Sequence, residues 1–191
     1  MKNKYLFFLL LLGVLSCTDN QVDEIAIRRN GLVEFSLDNI PWRASSFQLI
    51  NIGEVVVFED PSNVEGTIYQ RLFFLIKGHN EKGGDRKLTV IFDLPVSGRL
   101  LGKASLAYSQ LNGGIKSVEF SDQAEGHNSP FKLYTLAIDE TAEVFIDVQR
   151  QSLQDKIVAG VFKLVLTDVT DPANKISLNE GVFKDIPYTE L

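Results

Sequence analysis

The sequence predicts an all-β fold, an antiparallel β-sandwich or a barrel-like domain, and three observations carry that expectation. From Gly31 onward, apolar residues recur at every second position in short runs, the period of a half-buried strand. Between the runs stand Gly, Asn, Asp and Pro, which tolerate positive φ or are already bent. Helical periodicity is almost missing. Only Thr141 to Asp155 invites a helix, and there Val144, Ile146 and Val148 keep period two against Glu143, Asp147 and Gln149, so a strand is preferred.

The first strand sets Val33, Phe35 and Leu37 against Glu34, Ser36 and Asp38. Asp38-Asn39 then begins a tight connection into Pro41-Trp42-Arg43-Ala44. Further strands are expected at Ser46–Ile52, Glu54–Glu59, Thr67–Lys77, Lys87–Leu94, Ala104–Leu111, Ile115–Ser121, Phe131–Asp139, Ala142–Gln151, Lys156–Asp168 and Lys175–Asp185. The connections have hairpin chemistry: Asn51-Ile52-Gly53, Glu81-Lys82-Gly83-Gly84-Asp85, Asn112-Gly113-Gly114 and Asp171-Pro172-Ala173-Asn174. About eleven strands in one chain make a sandwich or a barrel.

Two strands want cover on both faces. Tyr69, Phe73 and Leu75 lie on one face of Thr67–Lys77, with Ile68, Leu72, Phe74 and Ile76 on the other. In Lys156–Asp168, Phe162, Leu164 and Leu166 oppose Ile157, Ala159, Val161 and Val165. A central strand covered by a loop or by bulge-shifted neighbours explains this. An apolar ligand or partner face explains it too, and Tyr69, Phe73 and Leu75, with Trp42, are its candidate residues.

The chain has 191 residues, enough for a single core. Its formal charge is −6. Loss of residues 1–16 would remove Lys2 and Lys4, leaving 17 basic against 25 acidic side chains, a charge of −8. Nucleic acid is not an expected partner, because phosphate binding needs a concentrated basic face and the sequence clusters cations only at Arg28-Arg29 and Arg86-Lys87. The lone cysteine, Cys17, excludes an intramolecular disulfide and a multi-cysteine zinc site.

Met1-Lys2-Asn3-Lys4 is a short positive segment, and the apolar run from Tyr5 to Leu15 is too short to span a bilayer, which takes about twenty residues. It reads as a removable export signal. Leu15-Ser16-Cys17 resembles the lipobox of bacterial lipoprotein precursors. The resemblance implies diacylglycerol on the Cys17 thiol and cleavage between Ser16 and Cys17, so that Cys17 becomes the N-terminus. Three parts follow: a signal peptide over 1–16, a lipidated cysteine and polar tether over 17–30, and a single β-domain over 31–191.

Three segments together are similar to a family of small Bacteroidota lipoproteins of unknown function: Gly31 through Asn39-Ile40-Pro41-Trp42-Arg43-Ala44, Gly98-Arg99-Leu100-Leu101-Gly102, and the pair Ala159-Gly160-Val161-Phe162 and Asn179-Glu180-Gly181-Val182-Phe183. Similar proteins end in a Gly-x-Phe strand, a charged turn and a second Gly-x-Phe strand. The resemblance spans most of residues 31–188 and implies the fold and an envelope address, with no activity attached. Leu100 stands where an aromatic residue is more usual.

Candidate chemistry is sparse. His79 and His127 share Gly-His-Asn loops and could approach Glu81 or Glu125, but their spacing matches no common ligand set and no metal is expected. Asp168, Asp171 and Asn174 offer oxygens for calcium, without the dense Asp-x-Asp-x-Asp-Gly layout; a capped hairpin turn is preferred. Ser129 is the one serine near a histidine, His127, and the acidic pairs Glu59-Asp60 and Asp139-Glu140 lie at strand ends. Trp42 could stack on a sugar with Tyr69 or Tyr108, though a lone tryptophan in a β-domain is more often core. The expectation is a non-catalytic domain, without cofactor, held at the outer membrane by lipid on Cys17, facing the periplasm or the cell surface. It would bind an envelope protein or a small ligand; the alternatives are an assembly accessory of an outer-membrane complex and, behind it, a glycan or lipid hydrolase.

Overall fold

The computed structural model describes residues 31–57, 66–105, 114–123, 130–137 and 143–190. Among these the chain forms strands β1 (Leu32–Leu37), β2 (Ile40–Arg43), β3 (Ser46–Val57), β4 (Thr67–His79), β5 (Asp85–Pro95), β6 (Gly102–Ser105), β7 (Ile115–Gln123), β8 (Phe131–Leu136), β9 (Phe145–Ser152), β10 (Ile157–Asp168) and β11 (Lys175–Glu190). The fold is all-β, as the alternation predicts.

Asp38 and Asn39 both have positive φ, 47° and 69°, which gives the two-residue β1–β2 turn the twist of its flanking strands. β3 pairs with β4, β4 with β5, β5 with β7, β7 with β8, β8 with β10 and β10 with β11, all antiparallel. The ring closes where Tyr188–Glu190 run parallel to Leu49–Asn51. This one parallel pair departs from the fully antiparallel sheet expected. Its cause is local: β2 already runs parallel to β11 through β1, and only Ala44 and Ser45 separate β2 from β3.

Two strands carry the ring and its side flaps together. β11 gives one edge first to β1, over Leu178–Lys184, and then to β3. β10 pairs with β9 from Ile157 to Lys163 and with β8 from Leu166 to Asp168, while β6 adds to the outer edge of β9.

The two differ in regularity. In β10, Val158, Gly160, Phe162, Leu164, Leu166 and Asp168 are all buried and the residues between them half-buried, an unbroken alternation. In β11 the buried pairs are Ile176 and Leu178, Gly181 and Phe183, Ile186 and Tyr188, so one extra residue intervenes each time. Glu180 and Asp185 have φ of 53° and 49° in those gaps, and the register against β10 breaks at both places. These are bulges, which sharpen twist and bend a strand. A sixteen-residue strand bent twice can follow a closing sheet.

Turn chemistry spent on bulges also explains two sequence boundaries that the structure moves. Asn51-Ile52-Gly53 does not divide two strands; β3 runs through it, with Ile52 as the extra residue, Gly53 at φ 118° and its N–H donating to Asn51 Oδ1 at 3.0 Å. Likewise β11 does not stop at Asp185 but continues to Glu190. The strand expected over Ala104–Leu111 begins as β6, and its remainder lies outside the described residues.

The inward faces form one apolar core. At its centre the Gly-x-Phe segments interlock: Gly160 pairs with Phe183, and Phe162 with Gly181. A methyl on Gly160 would come within 2.5 Å of Phe183 Cζ, and one on Gly181 within 2.6 Å of the Phe162 ring. Each phenyl ring therefore lies over the other's glycine. Phe162 then meets Phe35 edge-on at 5.7 Å and Phe183 meets Phe74 at 5.4 Å, so the cross ties β10 and β11 to β1 and β4.

Phe162→Ala should cost about 3–5 kcal/mol, the range for truncating a buried phenylalanine. Gly181→Ala should destabilise by about 1–3 kcal/mol through overpacking against that ring. Urea unfolding measures both, and an unchanged midpoint for Phe162→Ala would contradict the interlock.

Candidate functional site

In β4, Leu72, Phe74 and Ile76 enter the core, so alternation sends Tyr69, Arg71, Phe73, Leu75, Lys77 and His79 to the outer face. Tyr69, Phe73 and Leu75 thus share a face as the sequence predicts. That face is not a continuous apolar strip. Arg71 interrupts it, pairing across strands with Asp93 of β5. Arg71 Nε donates to Asp93 Oδ1 at 2.8 Å and Nη2 to Oδ2 at 3.0 Å, while Lys116 Nζ lies 3.7 Å from Oδ2. Asp93 is only 1% exposed. A carboxylate so buried needs a matched cation, and the hydrogen bonding to it outweighs burial and raises the Arg71 pKa above its ordinary value. Tyr69 is buried beside this pair, whereas Phe73 and Leu75 are half-buried.

Trp42 does not join them. It is buried, 4.6 Å from the Phe35 ring, with its indole over Gly78 and its Nε1–H donated to the carbonyl of His79 at 2.8 Å. Gly78 lies on the inward face of β4, opposite to Phe73 and Leu75. Trp42 is thus the core tryptophan the sequence favours, its one polar atom satisfied, and it does not share the face of Tyr69, Phe73 and Leu75.

The loop groups weighed for chemistry have structural partners. His79 Nδ1 lies 2.9 Å from Asp85 Oδ1 across the β4–β5 turn. Asn80 organises that turn: its Oδ1 accepts from the N–H of Lys82 and of Gly84, and its Nδ2 donates to the carbonyl of Gln123. At the other hairpin, Asp168 Oδ1 accepts from Thr170 N–H at 2.8 Å and Thr170 Oγ1 at 2.7 Å, and Asn174 Nδ2 reaches Oδ2 at 3.4 Å. This is the capped turn preferred over a calcium loop. Among the described residues no three His, Cys, Asp or Glu side chains converge as a metal site. His127, Ser129, Glu125, Tyr108, Glu59-Asp60 and Asp139-Glu140 lie outside the described residues, as do Ser16 and Cys17.

Two surface depressions escaped the sequence. One, of about 170 Å³, is lined by Asn51, Gln70, Val96, Leu100, Gln151 and Glu190. Gln151 links its wall, accepting from Leu100 N–H at 2.8 Å and bonding Tyr188 Oη at 3.0 Å. The other, about 450 Å³, runs over the outer face between Ser46, Lys77, His79, Lys87, Ser121 and Phe131. Its signal was present only as register: Lys77 and Lys87 become neighbours when the β4–β5 hairpin is paired around its turn.

The hydrogen bonds from Thr170 hold the Asp168 carboxyl below the ordinary carboxylate range. A carboxylate lowered in the folded state contributes stability above its unfolded pKa, about 3.9, and loses it as pH falls through the folded value. Asp168→Asn should therefore flatten the acid limb of the stability curve below about pH 4. Unfolding midpoints taken down that limb measure the effect, and identical limbs in the two proteins would contradict the assignment.

No family model, no curated protein and no solved structure matches the chain.

Proposed function

We propose that the chain is a lipid-anchored envelope protein whose β-domain binds a partner or a small ligand without catalysing a reaction. The observation that carries the anchor is Leu15-Ser16-Cys17, placed directly behind an apolar run too short to span and holding the chain's only cysteine. A binding role is supported by how the polar groups are spent. Asp93 is committed to Arg71, His79 to Asp85, and Asp168 to its own turn, which leaves these groups to architecture. Meanwhile the outer face of β4 offers Phe73 and Leu75 half-buried on a strand paired along both edges, a rigid platform for contact.

One observation favours the second reading, an accessory in assembly of an outer-membrane complex. Ile68 and Val56, directly opposite each other at one end of β3 and β4, are 47% and 55% exposed, and Ile52 and Val96 are exposed as well. Apolar groups gathered in water are the usual mark of a protein contact.

The anchor is tested at Cys17. Each buried methylene of an acyl chain contributes about 0.8 kcal/mol, so two or three chains hold far more firmly than one. The wild-type protein should partition with membranes and carry the mass of its acyl chains. Cys17→Ser should lose that mass and remain uncleaved at Ser16, and a chain starting at Asp19 behind an ordinary signal peptide should be soluble. Mass spectrometry and fractionation decide it: lipid-modified Cys17→Ser protein in the membrane fraction would overturn the reading.

A further inference from the structure

We propose that the outer-face groove centred on Lys77 and Lys87 is a binding site for a phosphate or sulfate group. Ser46 of β3, Lys77 of β4, Lys87 of β5 and Ser121 of β7 stand in one cross-sheet row, each directly opposite the next. Two ammonium groups are thereby set side by side in a chain whose formal charge is −6. Like charges directly opposite on one sheet face destabilise it. An arrangement that costs stability in the free protein is explained by a ligand that both cations can share.

The surroundings agree. Arg43, Arg71, Arg86, Lys103, Lys116, Arg150 and Lys163 each have a carboxylate partner, whereas among the described residues Lys77 and Lys87, like Arg99, Lys132, Lys156 and Lys184, have none, and of these only Lys77 and Lys87 stand directly opposite each other. The carboxylates of β5 and β7 on this face are Asp85, Asp93 and Glu119. Asp85 lines the groove, with Arg86, and faces His79; Asp93 is held by Arg71, and Glu119 lies one row further along, opposite Thr89. The hydroxyls of Ser46 and Ser121 flank the lysines, a geometry suited to the several acceptor oxygens of a tetrahedral oxyanion. Phe131, 58% exposed, lines the same groove, so an apolar part of the ligand next to the anion would have a ring to lie on. The inference is independent of the lipid anchor and does not need Cys17.

The test is calorimetric titration of the purified protein at low salt with two probes, inorganic phosphate and dihexanoyl phosphatidic acid, a monomeric phospholipid. Binding of either, weakening as salt rises, supports the site. Binding of phosphate alone points to a free anion, and binding of the phospholipid alone to a lipid headgroup that uses Phe131. Lys77→Gln and Lys87→Gln should each weaken binding about tenfold, the worth of one charge-assisted hydrogen bond. Lys184→Gln, on β11, should leave it unchanged. Without ligand both groove variants should melt at or above the wild-type temperature, because each removes the repulsion. Failure of both probes to bind, or equal binding by the Lys77→Gln/Lys87→Gln double variant, would overturn the proposal.

Discussion

The reciprocal packing of Phe162 over Gly181 and Phe183 over Gly160 is the contact on which the rest of the fold depends. It fixes which residues of β10 and β11 face each other, and a one-residue slip would turn every inward side chain outward. Because β11 is bulged at Glu180 and Asp185, register must be re-established after each bulge. A ring that fits only over a glycine does this more selectively than a generic apolar pair. From that alignment follow the handover of β11 from β1 to β3 and of β10 from β9 to β8, and hence the closure of the ring.

Much of this was legible in sequence, and the failures have a common origin. Strand alternation is a local property, so β1, β4, β5, β7 and β10 could be read directly. The Gly-x-Phe segments could be read as well, since glycine in a strand marks close approach. What could not be read was the use of a turn-forming residue. Asn51-Ile52-Gly53 has hairpin chemistry but lies inside β3, and Asp185 looks like a strand end but is a bulge. The same tolerance of positive φ serves either purpose. Tertiary pairing decides which.

The candidate site was less legible because side-chain partners across a sheet are set by register. Trp42 is a stacking candidate until Gly78 and the His79 carbonyl are placed against it. Tyr69, Phe73 and Leu75 form an apolar set until Arg71 is seen reaching for Asp93, and Lys77 and Lys87 are two unremarkable lysines until the hairpin puts them side by side. The outer face is consequently a sequence of unlike patches along β4: an ion pair that is structural, a half-buried apolar stretch, and a basic end.

The most direct measurement of the central claim is native-state hydrogen exchange resolved by residue. If the β10–β11 interlock holds the ring, the amides of Val161, Phe162, Val182 and Phe183 should exchange only through global unfolding and should share the highest protection in the chain. Exchange of those amides by local opening, while β4 and β5 stay protected, would show that the ring survives without the interlock and would contradict the account.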